Sequence, residues 1–236
     1  MSRTDPKPYA RPRKGTQPAY DFPGYRSTAR RHPKRKLTRF EHTLSEVTGP
    51  AFSSGWAGPN KTDLTRQHKG QPLGERIIVA GRVLDENGKP VPGTLVELWQ
   101  ANAAGRYRHE VDQHDAPVDP NFTGAGQVIT DKDGAWRFLT ITPGHYPWRN
   151  DRNAWRAAHL HFSVFGPAFA TRIVTQMYFP GDYLLEQDPL YQAITDAKAR
   201  ARLVAAYDPT LSEEEYALGL RWDIVLRGRS ATPVDR

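Results

Sequence analysis

The sequence predicts an all-β protein: a β-sandwich core of short strands, long loops carrying the candidate chemistry, one or two short helices and an extended N-terminal arm. Three observations lead there. Short β-branched and aromatic runs recur along the chain, separated by Gly, Pro and Asn-Gly turns. One stretch alone has convincing helical spacing. The first forty residues hold six of the twenty prolines and no apolar period, which suits an arm rather than a packed unit. The expected division is therefore an arm over residues 1–40 and a sandwich domain over residues 41–236.

The arm carries twelve Lys and Arg against Asp5 and Asp21, so it is +10 while the whole chain is +7 and the rest −3. Such charge suits nucleic acid, but no zinc-ligand spacing, heptad or RNA-binding signature accompanies it, so no nucleic-acid partner is expected. An arm this polar is expected to lie on a partner subunit or in solvent rather than on its own domain. Residues 39–47 are expected to add a turn or two of helix.

The strands follow in order. Residues 76–84 (RIIVAGRVL) run into Asp85-Glu86-Asn87-Gly88, a strong hairpin signal because Asn and Gly tolerate positive φ. Pro90 and Pro92 punctuate the chain before residues 94–100 (TLVELWQ). Residues 101–127 show no period and are rich in Gly, Asp, Pro and His, which marks a long functional loop. A second turn, Asp131-Lys132-Asp133-Gly134, separates strands at 127–130 and 135–141. Further strands are expected at 159–165, 172–179 and 218–226, the last alternating as a half-buried strand does. Residues 190–207 have good helix formers with apolar residues at three- and four-residue spacing and are expected to form one helix.

Composition removes several function classes. With no Cys, disulfides, thiolate zinc sites, iron–sulfur clusters and cysteine nucleophiles are excluded. No run approaches the roughly 18 apolar residues of a membrane span, and no apolar segment follows Met1. A soluble, cytoplasmic protein with no membrane partner is expected.

His159-Leu160-His161 is the sharpest local feature. In a strand these histidines share one face, which suits adjacent metal ligands. Spacing alone serves a pair of structural histidines equally well. No carboxylate accompanies them in the His-x-Asp/Glu pattern of ferrous oxygenases. Tyrosines stand close instead: Tyr146 in Pro143-Gly144-His145-Tyr146-Pro147-Trp148, read as a rigid loop, and Tyr107 in Gly105-Arg106-Tyr107-Arg108-His109. Phenolates are hard anionic donors suited to a trivalent metal, whose charge lowers their pKa.

Residues 74–92, 96–109, 143–150 and 155–162 resemble the intradiol ring-cleaving dioxygenases, and within them the beta chains of the protocatechuate-cleaving branch. The likeness runs from Tyr25 to Arg229, and the ordered set Tyr, Tyr, His-x-His is specific. It implies a mononuclear non-haem Fe(III) held by Tyr107, Tyr146, His159 and His161. The implied activity is cleavage of 3,4-dihydroxybenzoate by O2 to 3-carboxy-cis,cis-muconate, in aromatic catabolism through the beta-ketoadipate pathway. A homologous alpha chain lacking the full ligand set is the implied partner in a hetero-oligomer. By the same resemblance Tyr146 is the ligand that leaves on chelation and takes a phenolic proton, and Tyr107 stays. Arg156 stabilises developing negative charge. Trp148 and Gln176 line the substrate pocket, and Tyr25 and Arg31 receive the ring or its carboxylate. His145, Ala157 and Leu160 depart from the usual Pro, Pro and Ile without removing a ligand.

Catechol and hydroxyquinol dioxygenases are the alternatives within the resemblance. A sugar-binding sandwich and a jelly-roll enzyme holding a divalent metal are the alternatives outside it. Tyrosinate-to-iron colour separates the last two from the first.

Overall fold

In the computed structural model, residues 12–38, 58–151, 154–165 and 172–235 are described. The helical turn expected in residues 39–47 lies outside them. The strands in chain order are β1 (Arg76–Leu84), β2 (Leu95–Trp99), β3 (Ala125–Ile129), β4 (Ala135–Ile141), β5 (Tyr146–Trp148), β6 (Ala154–Arg156), β7 (His159–Phe165), β8 (Arg172–Tyr178), β9 (Ala206–Tyr207), β10 (Leu218–Arg221) and β11 (Ile224–Val225). Among the described residues the α-helices are α1 (Thr28–Arg31), α2 (Pro189–Gln192) and α3 (Ala197–Ala201).

In one sheet β1 lies between antiparallel β4 and the parallel strands β10 and β11, with β9 outside β10. The second sheet runs β3-β2-β7-β8, antiparallel throughout. β5 and β6 form a separate ribbon. Phe138, Trp136, Leu98, Leu160, Phe162 and Trp222 belong to the main apolar core. Each such side chain, fully buried, contributes about 1.5–3 kcal/mol. This is the all-β architecture the strand runs predict.

Both strong turns form, yet neither closes a hairpin between its flanking strands. Gly88 takes φ +77°, and Asp85 accepts the Asn87 and Lys89 amides at 2.8 and 2.9 Å. The chain then passes from β1 in the first sheet to β2 in the second. The 131–134 turn returns it from β3 to β4. Local turn chemistry sets the bend, and sandwich packing chooses the pairing.

The helix expected over residues 190–207 is instead two short helices. Asp188 caps α2 through the Leu190 and Tyr191 amides, and Asp196 caps α3 through that of Ala199. An internal Asp used as an N-cap starts a new helix instead of continuing one. The strand expected over residues 218–226 also breaks, at Trp222-Asp223. There the Trp222 amide donates to the Ala80 carbonyl and Asp223 accepts from the Arg82 amide. Gly81 permits this approach, since a Cβ there would lie 1.7 Å from the Trp222 carbonyl oxygen.

The arm is irregular apart from α1, as its prolines predict, but its described part packs on its own domain. The Asp196 amide donates to the Gly15 carbonyl, Gln17 accepts from the Val234 amide, and the Arg26 amide donates to Asn150. Thr16 and Thr28 are buried. For residues 12–38 the expectation of an arm too polar to pack at home is corrected: hydrogen bonds, with Phe22 and Tyr25 beneath them, hold the arm in place of a large apolar face.

Candidate metal centre

Strand alternation in β7 sends Leu160, Phe162 and Val164 into the core and His159 and His161 to the opposite face. The His161 ring stacks on Trp99, its cross-strand partner on β2, at 4.8 Å between centroids and 3° between planes. The Nδ1 of His159 lies 2.6 Å from the Ala157 carbonyl oxygen. A carbonyl only accepts, so Nδ1 carries the proton and Nε2 presents a lone pair.

Four donor atoms then follow in a row. Tyr107 Oη is 3.0 Å from His161 Nε2, which is 3.2 Å from His159 Nε2, which is 3.2 Å from Tyr146 Oη. The two phenol rings meet edge to face at 5.4 Å. Burial drives the pKa of both imidazoles well below its ordinary value, and Arg156 pushes in the same direction. Burial raises both phenols as well, Tyr107 more strongly because the neighbouring Tyr146 and Asp112 add to it. The charge of Arg156 works against the rise at both.

Such a set suits a hard, highly charged cation. Neutral imidazoles are competent ligands as they stand, and buried phenols give up their protons to a metal rather than to water. Among the described residues no group of three His, Cys, Asp or Glu side chains comes together in a way that could hold a metal. The oxygen donors here are phenolic. The residues fit iron(III): two phenolates would offset two of its three charges in a desolvated site. The Nδ1 of His161 is buried without a hydrogen-bond partner, consistent with an orientation set by the stack on Trp99 rather than by a carbonyl.

The tyrosines are held differently. Tyr107 lies in the irregular stretch between β2 and β3, where Asn102 accepts the Ala104 and Arg106 amides and donates to the Pro117 carbonyl, and Asp112 accepts the Tyr107 amide at 2.7 Å. Tyr146, expected in a rigid loop, is the first residue of β5 and pairs with Arg156 of β6. The two segments touch through backbone. The Gly144 amide donates to the Asn102 carbonyl, and a Cβ on Gly105 (φ +76°) would lie 2.0 Å from the His145 carbonyl oxygen. A cleft of about 370 Å³, lined by Tyr107, Asp112, His114, Tyr146 and Arg149, opens beside both phenols.

Arg156 is buried beside this row, with Nη1 3.5 Å from Tyr146 Oη. Its Nε donates to Asp188 at 2.8 Å, and its Nη2 donates to Gln176 and to Tyr178 Oη. Burial works to lower the guanidinium's pKa, but Asp188 outweighs it and the pKa is raised. Gln176 lies opposite His161 on β8 and also donates to Asp235 at 2.6 Å, so its amide is engaged on both sides. Trp148 lies between Arg156, whose guanidinium is 5.6 Å from its ring, and Tyr25, 4.6 Å away edge-on; Arg31 covers Tyr25 at 4.5 Å. All nine candidate residues thus fall into one connected group.

Sequence reasoning missed Asn102, Asp112, Asp182 and Asp188, which fasten that group. Asp188-Pro189 did carry a signal, Asp before Pro at a helix start, but nothing local showed that its carboxylate reaches Arg156.

The family model described as dioxygenase matches residues 47–228, and the model for the N-terminal part of the protocatechuate 3,4-dioxygenase beta subunit matches residues 9–43. This chain belongs to the intradiol dioxygenases. It is 56% identical over 94% of its length, and 94% of the relative's, to the protocatechuate 3,4-dioxygenase beta chain of Burkholderia cepacia. Another intradiol relative, a catechol 1,2-dioxygenase of Candida albicans, is 30% identical over 80% of this chain and 64% of its own. Among solved structures, hydroxyquinol 1,2-dioxygenase from Pseudomonas putida DLL-E4 aligns with TM-score 0.54 at 25% identity, covering 86% of this chain and 71% of that one. Catechol 1,2-dioxygenase from Pseudomonas arvilla C-1 gives 0.53 at 26%, covering 70% and 55%. No helix among the described residues of this intradiol dioxygenase is long and apolar enough to cross a membrane.

Proposed function

We propose that the protein cleaves protocatechuate between its two hydroxylated carbons, adding both atoms of O2 to give 3-carboxy-cis,cis-muconate. The observation that carries this reading is the Tyr107–His161–His159–Tyr146 row of donor atoms in a chain of this family. Those four residues would hold one non-haem Fe(III), which supplies Lewis acidity and a point of chelation for the two catechol oxygens.

The chain's own groups do the rest. Tyr146 is the ligand that makes way for substrate, its phenolate Oη taking a proton from one ring hydroxyl and leaving as the neutral phenol. Arg156, its charge secured by Asp188, stabilises negative charge as it develops near that oxygen. Tyr107 stays in place, its backbone fastened by Asp112. Trp148 walls the ring site, Gln176 acts there by holding Arg156, and Tyr25 and Arg31 receive the substrate's far end and carboxylate. Cationic groups suit an anionic substrate.

A homologous alpha chain is the proposed partner, supported by the beta-subunit family match over residues 9–43 and by the beta-chain relative. The proposed location is the cytoplasm, in keeping with a chain that has no Cys for disulfides. The test is to purify the chain with its alpha partner, record the visible spectrum, and follow O2 uptake with protocatechuate, catechol and hydroxyquinol. A red-brown protein that consumes O2 and protocatechuate in equal amounts, and prefers it to the other two, is expected. A colourless iron-loaded protein, or a preference for catechol, overturns the reading.

A further inference from the structure

Asp182 stands where three segments meet, and its side chain is only 4% exposed. Its Oδ2 accepts the Ala158 amide at 2.8 Å, immediately before His159. Its Oδ1 accepts the Leu184 amide at 2.9 Å. Both oxygens face His145 Nε2, at 3.0 and 2.9 Å, immediately before Tyr146. Tyr183 Oη lies 3.3 Å from His145 Nδ1. With Nε2 donating to the carboxylate and Nδ1 accepting from Tyr183, each polar atom of the cluster has a partner.

One buried carboxylate therefore ties the start of β5 to the start of β7. The β5–β6 ladder does not provide this link, because its last pair is Tyr146 with Arg156. The backbone of His145 is gripped from the other side by the turn at Gly105, so that residue is held between two segments.

We propose that Asp182, acting through His145, is a positioning residue for Tyr146 and His159. It fixes the spacing of the two side chains and confines the departure of Tyr146 to rotation of its phenol, with the backbone still. This rests on the ligand reading above, and the test separates the two.

Amide exchange is measured first on the metal-free protein, over residues 143–148 and 156–160. Asp182→Ala should speed exchange at Ala158 by about tenfold or more, the worth of a hydrogen bond to a charged acceptor, and should also speed it over 143–148. His145→Ala should speed 143–148 alone. His145→Gln, which can donate to the same carboxylate, should restore protection. In the iron-loaded protein, His145→Ala should release iron to a competing chelator several-fold faster than wild type, and His145→Gln at nearly the wild-type rate. If Asp182→Ala does not fold, Asp182→Asn keeps an acceptor for Ala158 but replaces the other oxygen with a donor, so it should speed exchange over 143–148 alone. Unchanged exchange over 143–148 and unchanged iron release in His145→Ala overturn the proposal. Full iron content in His159→Ala overturns the ligand reading instead, and the metal-free exchange still decides the role of Asp182.

Discussion

The two tyrosine-bearing segments solve one problem by different means. Tyr107 sits in irregular chain whose shape depends on side chains, chiefly Asn102 and Asp112, reaching backbone amides. Tyr146 sits on a ribbon whose shape depends on backbone pairing. Their electrostatics differ too. Burial raises both phenols and Arg156 opposes the rise at both, but at Tyr107 the neighbouring Tyr146 and Asp112 add to it, so its shift is the larger. The second phenol is thus the easier to ionise, with the Arg156 guanidinium 3.5 Å from its oxygen.

The imidazoles test the shared half of this comparison and should give the largest effect. His159→Ala, which removes the neighbour of Tyr146, and His161→Ala, which removes that of Tyr107, should each lose most of the bound iron and the colour. Metal analysis and the visible spectrum check this, and full occupancy in either variant breaks the four-donor scheme. The tyrosines should then separate. Tyr146→Phe should keep iron and colour and lose about a hundredfold in kcat/KM through slow chelation. Tyr107→Phe should change the colour of free and substrate-bound enzyme alike and slow the O2 step. Anaerobic stopped-flow spectra resolve the steps, and swapped behaviours reverse the assignment.

Smaller effects address how each segment is held. Gly105→Ala forces a left-handed backbone onto a residue with a Cβ and drives it into the His145 carbonyl, so it should cost about 2–3 kcal/mol and push the two phenols apart. Asn102→Ala removes three side-chain hydrogen bonds in the Tyr107 loop and should cost about 2–4 kcal/mol by urea unfolding. Trp155→Ala, on the ribbon and 45% exposed, should cost less than about 1 kcal/mol. Equal costs for the last two would mean that the ribbon too relies on side chains.

Much of this was legible in residues alone, for physical reasons. The β7 alternation is a local property, so the shared face of His159 and His161 could be read from three letters. The runs at 76–84, 135–141 and 159–165 matched their strands to the residue because β-branched and aromatic residues recur in them. What was not legible depended on distant partners. Nothing near residue 190 shows that Asp196 will meet Gly15 and split a helix. Nothing near Pro147 shows that residues 154–156 will pair with it. The aspartates at 182 and 188 sit in an unremarkable stretch, and their importance comes from the strand they reach back to.

The two turns that cross between sheets bear on how the chain finds its fold. Neither joins neighbouring strands in a ladder, so zipping from a local hairpin falls chiefly to β7 and β8, which pair along seven residues. The rest is distant: Ile77 must find Leu218 in the first layer, and Leu98 must find Phe162 before β2 and β3 join the second. Loop closure over such spans is costly before contacts reward it, so the sequence separation of its pairs places this chain among slow folders, on the order of seconds. Tyr146 and the two histidines are close along the chain, but Tyr107 joins them only after β2 has docked on β7. A metal that needs all four donors therefore seals a sheet already assembled and does not nucleate it.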